Sequence, residues 1–248
     1  MYNLLTFMSR KYLAIDIEIA KLIPFGQDEW WNYRPLGITC AATYDGKNQP
    51  RLWFGKSADG SVALAMQREE VIELVNYLQE ASQQGFTILT WNGLSFDLPV
   101  IADESGEWQT CRALARSHCD MMFHIFCLRG HPLGLDRAAK GMGLRGKLGG
   151  MSGELAPRYW AEGKWAIVLD YVAQDARTTY DLAIAVEKER QLKWVSDRSG
   201  IQSIPFPTGW LTVDQALTLP LPDTSWMKNP LSRKKILQLV KPRLVFDF

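Results

Sequence analysis

The stretch KYLAIDIEIA, residues 11 to 20, decides the fold because it is rich in isoleucine and carries two acids among apolar neighbours. Its alternation predicts a β-strand. Residues two apart in a strand point to one face, so Asp16 and Glu18 lie side by side. Adjacent carboxylates inside a sheet are costly unless a cation neutralises them. The strand alone leaves two alternatives open, a metal site and a strand end that faces water.

The rest of the pattern predicts a mixed α/β or α+β domain. The other expected elements are strands over 36–44, 51–55 and 86–91 and helices over 68–85, 107–118, 135–144 and 166–195. From residue 200 the chain becomes irregular and rich in proline. We therefore expect one domain over 1–199 and a C-terminal extension over 200–248.

Composition narrows the class of protein. The 248 residues are 47% hydrophobic and carry a formal net charge of +1, so we expect a soluble globular protein without a field that attracts nucleic acid over its whole surface. The four cysteines form no C-x-x-C pair, which argues against a zinc ribbon or disulfide framework and favours a cytoplasmic setting. We expect no signal peptide and no membrane span.

A second acid follows the strand that ends at Trp91. In TWNGLSFDLPVI, residues 90 to 101, a turn through Asn92 and Gly93 leads to Asp97 near the start of a short helix. Functional residues are common just beyond the ends of strands in α/β folds. The alternative is that Asp97 only caps the helix.

A third acid lies in YVAQDARTTYDL, residues 171 to 182. Tyr171 and Asp175 are four residues apart and share one helix face; otherwise Tyr171 is a core aromatic and Asp175 a surface partner of Arg177. Taken together, the four acids make an all-oxygen ligand set that suits Mg²⁺ or Mn²⁺. Two such ions can clamp the attacking and leaving oxygens of a phosphodiester.

Three motifs in this order resemble those of the DEDD superfamily of 3′–5′ exonucleases. The first, D-x-E, is DIE at residues 16–18; the second, N-x-x-x-F-D, is NGLSFD at 92–97. Tyr171 and Asp175 resemble the third motif of the tyrosine subgroup, and HCDMMF, residues 118–123, resembles the segment that carries an extra aspartate. The resemblance covers about residues 11–195. It implies a ribonuclease H-like mixed β-sheet flanked by α-helices, as in the proofreading domains of family B DNA polymerases.

The resemblance also implies roles. Asp16 bridges two Mg²⁺ or Mn²⁺ ions, Glu18 and Asp175 complete the site that activates water, and Asp97 holds the second ion. Tyr171 orients the water. The implied reaction is metal-dependent release of nucleoside monophosphates from the 3′ end of single-stranded nucleic acid, with DNA favoured over RNA. The residues expected to contact the terminal nucleotide or shape the turn are Asn92 and Phe96.

Basic and aromatic residues near the entrance are candidates for holding the strand. They are Arg137, Lys140, Arg145, Lys147, Tyr159, Trp160 and Trp165; the alternative is that the tryptophans are core and the bases a solvated face. The loop 23–35 is expected to form a substrate wall or a dimer contact. The basic tail 232–243 could hold nucleic acid, dock a protein partner or form a plain surface helix. Two other functions stay open, a catalytically silent binding module and a ribonuclease H-type endonuclease.

Overall fold

The computed structural model describes residues 10–24, 29–146, 151–197, 199–233 and 236. Its strands are β1 (Lys11–Ile19), β2 (Ile38–Tyr44), β3 (Arg51–Phe54), β4 (Phe86–Thr90), β5 (Cys119–Asp120), β6 (Gln191–Ser196) and β7 (Gly200–Pro205). Its α-helices are α1 (Arg68–Gln83), α2 (Asp97–Ser105), α3 (Trp108–Ser117), α4 (Met121–Arg129), α5 (Leu135–Gly141), α6 (Ala156–Ala161), α7 (Trp165–Glu189) and α8 (Val213–Leu217). A 3₁₀ turn spans Trp30–Tyr33.

Five of the strands form one mixed sheet in the order β3-β2-β1-β4-β5. The strand β1 pairs antiparallel with β2, as β2 does with β3, whereas β4 runs parallel to both β1 and β5. The mixed sheet with flanking helices confirms the expected α/β architecture. Because β1 and β4 are parallel, their carboxyl ends meet at one edge, where ligands bind in open α/β sheets.

Helices cover both faces of this sheet. Along β1, Leu13, Ile15 and Ile17 pack into a cluster with apolar residues of α1, α2 and α3. Tyr12 and Ala14 point to the other face and belong to a cluster with residues of α5 and α7. Asp16 and Glu18 follow Tyr12 and Ala14 at two-residue intervals along β1. Their side chains therefore lie on the side of the sheet that α7 covers.

The long helix predicted over 166–195 ends earlier than expected. The helix α7 stops at Glu189, and Arg190 adopts a left-handed conformation with φ of 53°. The next residues form a two-stranded antiparallel hairpin of β6 and β7. Gly141 of α5 allows close packing on this hairpin, since a Cβ there would lie 2.2 Å from Cα of Trp194. The prediction of helix over 191–195 was therefore wrong.

The residues after position 200 have more regular structure than their composition indicated. The strand β7 pairs with β6 across that position, and Val213 and Ala216 of α8 are buried in the core cluster of α1 to α3. The boundary at residue 200 stays a prediction. The basic tail 232–243 lies mostly outside the described residues, so its proposed partner also stays a prediction. No helix in the described ranges combines the length and the apolar character needed to span a bilayer.

Candidate active site

A cavity of about 330 Å³ lies at the carboxyl ends of β1 and β4. Seven residues singled out from the sequence line it together: Asp16, Glu18, Asn92, Phe96, Asp97, Tyr171 and Asp175. They come from a strand, a turn with its following helix, and the helix α7. Three stretches that are far apart along the chain thus contribute to one concave site.

The first pair of acids sits beside an irregularity in the sheet. The register between β1 and β2 shifts between Glu18 and Ile19, so Glu18 lies opposite Cys40 while Ile19 lies opposite Ile38. The hydroxyl of Thr39, the skipped residue, donates to the backbone carbonyl of Glu18 at 3.0 Å. Such bulges bend a strand and redirect side chains next to functional sites. Glu18 is buried, whereas Asp16 is half-buried.

Asp120 holds the turn that carries the second motif. Its carboxylate accepts hydrogen bonds from the backbone N–H groups of Asn92 at 3.2 Å, Leu94 at 2.9 Å and Phe123 at 2.9 Å. Asn92 has a positive φ of 73°, a conformation that asparagine tolerates better than most residues. The extra aspartate in HCDMMF therefore fixes the backbone between β4 and α2.

A buried polar chain lies beneath the same turn. The N–H of Gly93 donates to Oγ1 of Thr90 at 3.2 Å, and this hydroxyl is 3.1 Å from Nε2 of His118. Nδ1 of His118 is 2.9 Å from the carbonyl of Ala115. The ring is consistent with a neutral tautomer that donates from Nδ1, and burial lowers the pKa of His118 to about 4. The turn is thus supported from β4 and from the end of α3.

Asp97 begins α2 and is buried at 4% exposure. Burial raises the pKa of its carboxyl to about 7, and the nearby charge of Asp120 acts in the same direction. The backbone N–H groups of Asp97 itself and of Ile17 oppose this by hydrogen bonding. Hydrogen bonds of a helix N-terminus favour the ionised form of a carboxyl, so burial and the nearby Asp120 outweigh them at Asp97.

Tyr171 and Asp175 lie on the inward face of α7, at 1% and 5% exposure. Burial raises the pKa of Tyr171 far above its usual value, and the charges of Asp175, Glu18 and Asp16 and a hydrogen bond to Asp175 add to this. The phenol of Tyr171 is therefore close to all three carboxylates. It remains protonated at neutral pH and acts as a hydrogen-bond donor.

Several lining residues were not found from the sequence. Lys21 and Glu154 bring two further charges to the cavity, and Trp91 adds an aromatic side chain. Lys21 lies only three residues after Glu18, so its proximity to the first motif was a usable signal. Glu154 belongs to an irregular segment before α6, and only the tertiary fold brings it to the site.

None of the described entrance candidates lines this cavity. Arg137 and Lys140 lie on α5, where they form ion pairs with Asp197 and Asp136. Trp160 is buried and donates to the carbonyl of Ala63, as expected for a core residue. The remaining candidates, Arg145, Tyr159 and Trp165, are exposed or half-buried, and Lys147 lies outside the described residues. A role of these residues in holding the strand stays a prediction.

The donor chemistry of the cavity suits a hard cation. Its lining offers carboxylate oxygens and a phenol, with no histidine or cysteine among the described lining residues. Across the described ranges, no three acidic, histidine or cysteine side chains are grouped as tightly as the ligands of one bound ion. Mutual repulsion favours carboxylates that stand apart. Binding of a cation would offset this repulsion and would require the side chains to rotate toward each other.

A model of the RNase H superfamily matches residues 52–187, more than half of the chain. The chain belongs to the RNase H superfamily. The match includes Asn92, Asp97, Tyr171 and Asp175 but begins after β1, so Asp16 and Glu18 lie outside it. A search of curated proteins gave no match.

Among solved structures, the RNase H fold of this chain is similar to the family B DNA polymerase from the hyperthermophilic archaeon Pyrobaculum calidifontis, with a TM-score of 0.51. The two sequences are 16% identical over 71% of this chain. The aligned region spans 24% of the polymerase chain. At this identity the likeness supports the fold.

Proposed function

We propose that this protein is a metal-dependent 3′–5′ exonuclease of the tyrosine subgroup of the DEDD superfamily. The observation that carries the proposal is the meeting of Asp16, Glu18, Asp97 and Asp175 in one cavity, with Tyr171 beside them. Mutually repelling carboxylates in a partly dry cavity are costly to a fold. A site that binds divalent cations gives them a use, and a silent binding module does not.

The four carboxylates are the proposed ligands of two Mg²⁺ or Mn²⁺ ions. When bound, such ions supply Lewis acidity to a phosphodiester and lower the pKa of a water molecule. As the resemblance to the DEDD exonucleases implies, Asp16 would be a ligand of both ions. Glu18 and Asp175 would hold the ion that activates water, and Asp97 would hold the second ion.

Tyr171 is proposed to orient the attacking water. A phenol with an ordinary pKa of about 10 is already a poor general base at neutral pH, and burial raises the pKa of Tyr171 further. An O–H held against Asp175 can instead fix the position of a neighbouring water molecule by hydrogen bonding. Such positioning contributes to rate without proton transfer to the side chain.

The apolar part of the cavity suits a nucleotide at a strand end. Ile19, Ile23, Trp91 and Phe96 line it alongside the acids. Nucleobases stack on aromatic side chains irrespective of sequence. A volume of about 330 Å³ is near the lower limit for small-molecule sites and favours one nucleotide over a base pair. We therefore propose single-stranded 3′ ends as substrate, and the resemblance to polymerase proofreading domains favours DNA over RNA.

A 5′-labelled single-stranded oligonucleotide tests the proposal. With Mn²⁺ the wild-type protein should shorten it stepwise from the 3′ end and release nucleoside monophosphates, and EDTA should stop the reaction. Asp16→Ala and Asp97→Ala should each abolish release. The control is Asp197→Ala, since this exposed acid pairs with Arg137 away from the cavity.

Other outcomes identify the rival functions. Full activity in Asp16→Ala or Asp97→Ala would refute the proposed site. Cutting of a circular single strand would indicate a ribonuclease H-type endonuclease. Binding of the oligonucleotide without any cleavage in Mn²⁺ would indicate a silent module. Parallel assays on DNA and RNA of the same sequence determine the preferred substrate.

A further inference from the structure

Lys21 is the one basic side chain among the described residues that line the cavity. Five acids share that lining, so its formal charge is −4 when all six groups are ionised. Two divalent cations would bring this charge to zero. A polyanionic strand entering such a cavity gains attraction from any fixed ammonium group near its path.

The ammonium group of Lys21 is held in place by the loop that follows β1. Its Nζ donates to the carbonyl of Tyr33 at 2.7 Å and reaches the carbonyl of Pro35 at 3.4 Å. The backbone N–H of Lys21 donates to the carbonyl of Leu36 at 2.9 Å. A lysine ammonium has three donors, so one N–H remains for a ligand.

The segment that holds Lys21 is itself fixed to α2. The guanidinium of Arg34 pairs with the largely buried carboxylate of Asp103. Glu104 accepts from the backbone N–H of Leu36 at 3.0 Å and of Gly37 at 2.8 Å. The loop whose carbonyls orient Lys21 is therefore anchored to α2, the helix that Asp97 begins, so the ammonium and this carboxylate share one scaffold.

Lys21 also has no carboxylate partner within the described structure. None of the described ion pairs includes it, although five acids share the cavity. An exposed ammonium that is oriented by neutral carbonyls keeps its full charge for an incoming anion. The anionic group present on every nucleotide of a strand is the phosphate.

We propose that Lys21 binds a phosphate of the substrate strand and is a substrate-binding residue of this site. The inference rests on the proposed function, because it assumes a nucleic acid in the cavity. The ammonium donates to a non-bridging phosphate oxygen, and the two carbonyls keep it aimed at the strand. A lysine that only braced the loop would contribute no salt-dependent binding.

The test measures binding apart from catalysis. Fluorescence anisotropy follows a short 5′-fluorescein-labelled oligodeoxythymidylate with phosphorothioate linkages at its 3′ end, in Mn²⁺ and over a series of KCl concentrations. Lys21→Gln keeps an N–H donor but removes the charge, and Lys21→Arg restores it. The control Lys47→Gln changes an exposed lysine in the β2–β3 turn, at the opposite end of the β1–β2 pair.

Lys21→Gln should weaken binding by roughly tenfold at low salt, as expected for a charged hydrogen bond. The slope of log K against log salt should flatten by about 0.7, the value for one phosphate contact on a single strand. Lys21→Arg and Lys47→Gln should match the wild type. Thermal melting of each variant confirms that it is folded, and Lys21→Met, which also removes the charge and has a similar length, carries the comparison if Lys21→Gln unfolds.

The results separate this inference from the proposed reaction. Equal affinity and equal salt slope in Lys21→Gln and Lys47→Gln would overturn the phosphate contact, even if the wild type degrades DNA. A wild type that does not bind the oligonucleotide would also overturn it. If the wild type binds with the expected dependence on Lys21 but releases no nucleotide, the contact stands and the exonuclease proposal fails.

Discussion

Gly93→Ala should disturb the site without touching any proposed ligand. An added Cβ would lie 2.5 Å from Cβ, Cγ2 and Oγ1 of Thr90. Carbon atoms normally pack at about 3.5–4 Å, so the two residues must separate by about 1 Å. Rotation of the threonine side chain does not help, because Cβ of Thr90 stays in place when χ1 changes. The turn between β4 and α2 must therefore move.

The expected cost follows from two contributions. Overpacking in a buried position costs about 1–3 kcal/mol, and loss of the hydrogen bond from Gly93 to Thr90 costs about 1 kcal/mol more. The free energy of unfolding should thus fall by about 2–4 kcal/mol. Displacement of Asn92 and Asp97 by about 1 Å should lower the rate of nucleotide release by about 10²-fold.

Urea unfolding and the Mn²⁺-dependent release assay measure these two effects. The matched control is Gly134→Ala, where an added Cβ meets no atom within 4 Å and φ is −77°. Gly134→Ala should cost less than about 1 kcal/mol, since it changes only the cap residue of α5. Equal stability and equal activity in the two variants would refute the view that close packing on Thr90 fixes this turn.

Two further predictions concern buried groups of the site and its support. His118→Gln should approach the wild type in free energy of unfolding when the pH is lowered. The folded pKa of His118 is about 4, below its unfolded value of 6.5. The wild type therefore loses stability as the pH falls below 6.5, whereas the variant does not. The difference in unfolding free energy between wild type and variant should narrow by about 2 kcal/mol from pH 7 to pH 5. An unchanged difference in urea titrations would contradict the burial of a neutral ring. Tyr171→Phe should slow nucleotide release by about 10- to 100-fold, because the water loses its positioning hydrogen bond, while Mn²⁺ affinity by calorimetry stays within a few-fold. A loss of Mn²⁺ affinity by orders of magnitude would show that Tyr171 supports the ligands and not the water.

Local patterns were sufficient where one periodicity dominates. The alternation in residues 11–20 predicted β1 and the shared face of Asp16 and Glu18, and the four-residue spacing of Tyr171 and Asp175 predicted their common face on α7. Each strand or helix here buries one side, so its apolar period is visible in the sequence. The three motifs in order then indicated that these faces meet.

The sequence was insufficient where tertiary packing overrides local preference. Residues 191–195 continue a good helical composition, yet Leu192 and Trp194 are buried on α5 as part of a strand. Helix propensity is a weak determinant against such burial. The same limit applies to Arg137, whose partner Asp197 comes from the turn after β6. Ion pairs between distant segments leave no periodic signal.

The site proposed here depends on carboxylates that close around divalent cations. Anomalous diffraction from crystals soaked in manganese chloride tests this most directly. We predict two manganese peaks in the cavity, bounded by oxygens of Asp16, Glu18, Asp97 and Asp175. Crystals in which manganese binds at other positions, but in which these side chains stand apart with no peak between them, would contradict the proposed metal site.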